Sequence, residues 1–314
     1  MKNGRMQIVI TENEDFNPLV IEGLKKIGDV KTYNVASTSE LIEVIKDAEV
    51  LFVRLRFKLT ESVLRQAPKL KYILTATTGL DHIDLDYFES VDGQVISLKG
   101  ATDFLNSIPA TAEHTWALLL ALMRNLPAAY ADVQQGFWRR DLFKGNNLSE
   151  KKIGILGLGR VGVQVAHYAR AFNMQIGYFD ILNKNATNLI QFKTAKELFA
   201  WADIISIHIP LNAENIHYVN ADLLNGLQSN AVLINTSRGA VVDESELISK
   251  IKNKQIKGYA TDVLENELEI DIHTNELLKL SKSGYNVIIT PHIAGATFES
   301  MHKTEEFIFK KFLK

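Results

Sequence analysis

The chain has 314 residues, enough for two ordinary domains, and its 46% hydrophobic and 23% charged content is normal for a globular protein. A formal net charge of −2 with no basic stretch excludes an electrostatic nucleic-acid binder. The absence of cysteine excludes disulfides, cysteine metal sites and thiol catalysis, and fits the cytoplasm. The N-terminal MKNGRMQIVITEN lacks the apolar core of a signal peptide. The most apolar window, 116–123, is too short to span a bilayer and reads as a buried helix, so no membrane association is expected.

Residues 6–98 alternate between two kinds of pattern. Apolar runs at 7–11, 30–33, 50–55, 72–76 and 95–98 read as strands. Helical periods fall between them at about 17–27, 39–47 and 60–67, entered at Ser39 and Thr60. Such alternation predicts parallel βαβ units in a doubly wound sheet. After the fourth strand comes Thr77-Thr-Gly-Leu-Asp-His-Ile-Asp84. By spacing it reads as an ordinary loop capped by Asp81 or Asp84, with an anion-binding turn at Gly79 as the alternative. Residues 99–150 differ: 109–124 is one long apolar helix, helical pattern resumes near 128–136, and a looser segment follows. We read this stretch as a crossover between domains, its long helix also serving as a subunit surface.

Residues 151–180 run strand, glycine turn, helix, strand, acid. In Gly157-Leu-Gly159-Arg160-Val161-Gly162, the first glycine allows a tight turn and the second lets a pyrophosphate approach the backbone. The third lets the helix pack closely on the strand, and the helix N-terminus offers free N–H groups to phosphates. Asp180 lies 23 residues after Gly157, near the usual spacing of ~20 for the acid that accepts ribose hydroxyls. A carboxylate there favours NAD and repels the extra phosphate of NADP.

Beyond Asp180 the alternation continues. Strands are expected at 189–193, 204–209, 231–235, 258–262 and 287–290, with helices near 195–201, 220–226 and 243–253. Asp243 and Glu246 have the spacing of an acidic capping box. This gives six or seven strands, the size of a full dinucleotide-binding domain. The tail, 298–314, is helical by period and is placed back on the first domain. No repeat and no metal-spaced cluster stands out, so no metal is expected.

Ligands of open α/β sheets bind beyond the carboxyl ends of the strands. Three expected strand ends lead into Arg238, into Asp262 with Glu267 five residues on, and into His292. Oxidising a 2-hydroxy acid needs a base, a cation for the carboxylate and a hydride acceptor. His292 can be the base, Glu267 its orienting acid and Arg238 the clamp. Singly, each has a plainer reading: a structural histidine, a solvated acidic face, an ion pair. Their shared placement is what favours chemistry.

The chain resembles the D-isomer-specific 2-hydroxyacid dehydrogenases nearly end to end. The resemblance runs through TTGLDHID (77–84), ATAEHTWALLLAL (110–122), GLGRVG (157–162), ADIISIHIPL (202–211), LINTSRGAVVDE (233–244), ATDV (260–263) and TPHIAGAT (290–297). It implies an α/β fold of two doubly wound parallel-sheet domains. A Rossmann NAD-binding domain (101–293) is inserted into a flavodoxin-like substrate domain (1–100 and 294–314). Arg238, Glu267 and His292 become the catalytic trio. Gly157, Gly159, Arg160, Val161, Gly162, Asp180, His208, Pro210, Thr236 and Asp262 become cofactor positions, with Asp262 at the nicotinamide end. Thr78 and Gly79 become a carboxylate-binding loop, reversing the reading from spacing alone. From their charge, Arg54, Arg56 and Lys99 are candidate contacts for a substrate phosphate, which favours phosphoglycerate, with solvated charges as the alternative.

The implied activity is NAD-dependent hydride transfer to and from a small 2-hydroxy or 2-oxo acid, first 3-phosphoglycerate, alternatively glyoxylate or hydroxypyruvate. The implied assembly is a homodimer through the NAD-binding domain, including the Trp116 helix. The rival of another class is a non-catalytic NAD(H)-sensing scaffold. The stretch Leu264-Glu-Asn-Glu267-Leu-Glu lacks the prolines common in the family, and Arg54-Leu55-Arg56 lacks its usual small polar residue. With no further domain after 314, serine feedback is not expected.

Overall fold

The computed structural model describes residues 5–184, 186–269 and 271–314. The chain divides into two compact units, residues 1–107 with 296–314, and residues 108–295. The first change of unit thus falls after Ser107, later than the expected 100.

The first unit holds β1 (Met6–Ile10), β2 (Gly28–Thr32), β3 (Val50–Val53), β4 (Tyr72–Thr75) and β5 (Gln94–Ile96). All pairs are parallel, in the order β2-β1-β3-β4-β5. This is the flavodoxin-like winding. β3 is buried along its whole length, as an apolar strand covered on both faces must be. Between the strands lie helices whose starts are chemically marked. Asn17 caps Pro18–Ile27 by accepting the Leu19 N–H, with proline at the first turn. Ser37, not Ser39, caps Thr38–Ile45.

The last helix, Phe298–Phe312, belongs to this unit. Its Phe312 meets Tyr72 edge-on at 5.3 Å, and its Phe307 stacks on Phe104 at 4.1 Å. Its buried Glu305 takes the Arg54 guanidinium through Nη2 at 2.6 Å and Nε at 3.2 Å, and also the Asn17 N–H at 2.8 Å. Arg54 Nη1 donates to the Glu14 carbonyl at 3.0 Å. Arg54 therefore clamps the tail helix to the sheet. Burial pushes the Glu305 carboxyl up, and the Arg54 hydrogen bonds oppose this. Arg54→Ala should cost about 3 kcal/mol at pH 7, because it strands a buried carboxylate. The deficit should be smaller at pH 5 than at pH 7, because losing Arg54 raises the folded-state pKa of Glu305 further above its unfolded value. Urea unfolding at both pH values checks this; equal deficits would contradict it.

The second unit holds β6 (Lys152–Leu156), β7 (Gln175–Phe179), β8 (Ile190–Gln191), β9 (Ile204–Ile207), β10 (Val232–Asn235), β11 (Gly258–Thr261) and β12 (Val287–Ile289). Their order, β12-β11-β10-β9-β6-β7-β8, is that of a Rossmann sheet extended by one strand. The chain reverses direction of winding between β6 and β9, which marks a ligand crevice beyond their carboxyl ends. The helix Ala110–Met123 is core: Trp116 is 5% exposed and stacks on Phe172 at 4.7 Å. Most of its apolar surface is used inside the unit. Asp243 caps Glu244–Lys252 through the Ser245 and Glu246 N–H groups; the reciprocal capping box forms instead between Thr194 and Glu197. The helix Glu276–Lys282, capped by Asn275, had no counterpart in the sequence reading.

Candidate active site

β6 ends in the glycine turn. Gly157 has φ +92°, a left-handed conformation that glycine adopts without strain. A Cβ on Gly162 would lie 2.2 Å from the Gly157 carbonyl oxygen, so only glycine lets the helix Arg160–Ala171 sit this close. A Cβ on Gly159 would meet nothing within 4 Å, which leaves open space at the helix N-terminus. Tight turn, close packing and an open cradle are what a pyrophosphate requires, and the first-turn N–H groups have no helical acceptor.

Asp180, at the tip of β7, accepts the Leu158 N–H on Oδ2 and the Leu182 N–H on Oδ1, both at 2.8 Å. Each oxygen keeps lone-pair capacity for a ribose hydroxyl. Arg160 Nη1 donates to the Ile108 carbonyl at 3.2 Å, and burial lowers its pKa. Val161 packs on the core of the unit. His208, beyond β9, bonds Ser206 Oγ through Nε2 at 2.7 Å. Burial drives its imidazole down to about 3, so the ring is neutral. Exposed Pro210 follows two residues later, its carbonyl accepting Asn215 Nδ2 at 2.8 Å. Thr236, beyond β10, is 2.8 Å from Thr115 Oγ1, whose own proton goes to the Thr111 carbonyl. Thr236 is therefore the donor in that pair.

The chemistry-bearing groups sit beyond three adjacent parallel strands, β10, β11 and β12. His292 Nδ1 lies 2.5 Å from Glu267 Oε1. An ionised carboxylate only accepts, so Nδ1 carries the proton and Nε2 is left for a substrate. Both side chains keep access to solvent, at 23% and 27%. Glu267 Oε2 also accepts the Leu264 N–H at 3.2 Å. Arg238 is held through its backbone by Asn235, whose Nδ2 donates to the Arg238 carbonyl at 3.0 Å. Its Nη1 donates to the Ser237 carbonyl at 2.9 Å. The next residue, Gly239, touches the loop that carries Glu267: a Cβ there would be 2.0 Å from the Leu264 carbonyl carbon. The backbone next to Arg238 thus touches the loop that carries Glu267.

His292 has φ +54°, an unfavourable backbone for a non-glycine residue. Asp262 enforces it. The Asp262 carbonyl accepts the His292 N–H at 2.8 Å, and its carboxylate accepts Ile293 N, Ala294 N and Thr290 Oγ1 at 2.9, 2.7 and 2.6 Å. His114 Nε2 is 3.4 Å from the same carboxylate. Burial raises the Asp262 pKa, but these hydrogen bonds outweigh it and hold the carboxyl below the usual range. Asp262, expected at the nicotinamide end, shapes the loop that carries His292.

Thr78 and Gly79 lie in the first unit, where Thr78 is exposed and the Gly79 carbonyl accepts Thr77 Oγ1 at 2.9 Å. Asp84 caps the following helix. Arg56 donates to the Val35 carbonyl at 2.8 Å, and Lys99 is exposed. Sequence reasoning missed His114, Thr290 and Glu244, whose partners are distant in the chain. Among the described residues no group of three or more acidic or imidazole side chains is arranged to hold a metal ion, and no helix is long and apolar enough to cross a membrane.

Residues 116–294 match the sequence model described as D-isomer specific 2-hydroxyacid dehydrogenase, NAD binding domain. The chain is 36% identical over 301 residues to a D-3-phosphoglycerate dehydrogenase of Methanocaldococcus jannaschii, covering 94% of this chain and 54% of the relative. It therefore spans about half the length of that protein. It is 34% identical over 287 residues to a glyoxylate reductase of Thermococcus litoralis, covering 87% of this chain and 82% of the relative. It superposes on a D-lactate dehydrogenase from Aquifex aeolicus complexed with NAD and lactic acid with a TM-score of 0.82, 29% identity, and coverage of 98% and 94%.

Proposed function

The chain belongs to the D-isomer-specific 2-hydroxyacid dehydrogenase family, and we propose that it interconverts a small D-2-hydroxy acid and its 2-oxo acid with NAD(H). The observation that carries this is the 2.5 Å pair of His292 and Glu267, with Glu267 on a loop that touches Gly239, the neighbour of Arg238. The open side of Gly159, the helix N-terminus behind it and Asp180 would hold NAD, with His208, Pro210 and Thr236 along the strand ends. When bound, the nicotinamide supplies or accepts the hydride.

His292 moves the proton. In reduction its Nε2–H gives a proton to the developing alkoxide; in oxidation Nε2 removes the hydroxyl proton. Glu267 holds the tautomer and stabilises the imidazolium. Arg238 grips the carboxylate and polarises the carbonyl. Thr78 and Gly79, on the first unit, remain our proposed carboxylate-binding loop.

For the substrate we place 3-phosphoglycerate first, by the relative with the larger identity. Glyoxylate or hydroxypyruvate is favoured by a separate observation: Arg54, a candidate phosphate contact, is committed to Glu305. NADH oxidation with glyoxylate, hydroxypyruvate and phosphohydroxypyruvate, and NAD reduction with 3-phosphoglycerate, decides between them. NADH binding with no turnover on any of the four would favour a sensing scaffold.

We also infer pairing of two copies through the NAD-binding unit. What supports it is an exposed apolar face on 126–142, with Tyr130 67%, Trp138 86% and Leu142 65% exposed. Sedimentation should give about twice the 35.3 kDa chain mass; a monomer would contradict the pairing.

A further inference from the structure

The segment that carries Glu267 is a tight turn without proline. It runs Leu264-Glu265-Asn266-Glu267, with Asn266 at φ +55° and the Glu269 N–H closing on the Asn266 carbonyl at 2.8 Å. Nothing in its composition stiffens it. Two side chains from outside hold it. Glu244, the first residue of the helix Glu244–Lys252, accepts the Glu265 N–H on Oε1 at 2.9 Å. His217 Nε2 meets Glu265 Oε1 at 2.9 Å. Both anchors are themselves held in the fold. His217 donates its N–H to the Ala240 carbonyl at 2.8 Å, and Val219 and Val241–Asp243 pair alongside. Glu244 is 9% exposed.

We propose that Glu244 is a positioning residue for hydride transfer: by holding the Glu265 amide, it sets the turn that aims Glu267 at His292. A buried carboxyl is a costly way to satisfy one amide unless its placement matters. Glu265 and Glu267 from the turn, His217 from the preceding segment and Tyr259 from β11 are the ionisable groups around it. Burial first, then the charges of Glu265 and Glu267, push its carboxyl up to about 7, so near neutrality much of it is protonated. A glutamine is therefore a close mimic, since its carbonyl oxygen accepts the same amide. This role deepens the dehydrogenase reading and rests on it, but its test does not depend on turnover.

The test compares Glu244→Met, which keeps volume and removes the acceptor, with Glu244→Gln. In the cofactor-free protein, the His292 Nδ1 proton shared with Glu267 should give a far-downfield proton resonance, identified by its loss in His292→Ala. Glu244→Met should abolish or strongly shift it, and Glu244→Gln should keep it. In turnover, Glu244→Met should lower kcat about tenfold with KM for NADH unchanged, and Glu244→Gln should recover most of that loss. In a Glu267→Ala background, Glu244→Met should add almost nothing, because the two act through one pair. An unchanged resonance in Glu244→Met, equal loss in Glu244→Gln, or full additivity with Glu267→Ala would overturn the proposal. If Glu244→Met does not fold, His217→Asn loosens the same turn from its other anchor and should move the resonance in the same direction. A wild type that transfers no hydride, with the resonance pattern as expected, would refute the enzyme and leave the positioning intact.

Discussion

His292→Ala should lower kcat by about two to four orders of magnitude, the range a positioned acid–base group contributes, while NADH binding should be retained. The separation follows from where the residue sits. The glycine turn and Asp180 follow β6 and β7, whereas His292 follows β12, at the other end of the strand order. Removing the imidazole leaves the cradle at Gly159 and the carboxylate of Asp180 untouched. Their supports are local, the Leu158 and Leu182 amides on Asp180 and the packing of Gly162 on Gly157. Fluorescence titration with NADH and steady-state kinetics separate the two effects. Wild-type turnover in the variant would take the proton-transfer role away from His292. Loss of NADH binding together with turnover would show that the two sites are not independent.

Arg238→Ala should lower kcat/KM by about 10²–10³, with both KM for the acid and kcat affected. A guanidinium that holds the carboxylate in the ground state and the carbonyl oxygen in the transition state contributes to both. Lysine should restore little, because a point charge does not reproduce the planar fork. The lever is specific to the guanidinium. The backbone of residue 238 is held by Asn235, and Gly239 packs on the Leu264–Glu265 backbone. Neither contact depends on the side chain, so the fold should be kept. Kinetics with one 2-oxo acid, run beside thermal melts, check this. Unaltered kcat/KM would remove the clamp from the account.

Much of this was legible in the sequence, for identifiable reasons. Strands of a parallel sheet buried on both faces read as continuous apolar runs, and Val50–Val53 and Ile204–Ile207 are of that kind. The glycine turn was legible because each glycine answers a local backbone demand. Strand ends in a parallel sheet share one edge, so Arg238, Glu267 and His292 could be grouped from the sequence alone.

What stayed hidden depends on partners far along the chain. Arg54 and Glu305 are 251 residues apart, and nothing near Arg54 marks it as a clamp for the last helix. Asp262 shapes the turn at Ile293 and Ala294 across more than 30 residues. Glu244 was overshadowed by its neighbour Asp243, whose capping role accounts for an acid at a helix start. The Trp116 helix packs in its own unit, a role hidden in the sequence because an apolar helix looks alike whether its partner is another copy or its own sheet.

The central claim is hydride transfer to one face of a 2-oxo acid, with His292 supplying the proton. The direct measurement is to supply NADH deuterated at C4 with hydroxypyruvate and to analyse the product by chiral chromatography and mass spectrometry. The account predicts the D-2-hydroxy acid carrying deuterium at C2 from the wild type and almost none from His292→Ala. An L-isomer, a product without deuterium, or equal yield from both proteins would contradict it.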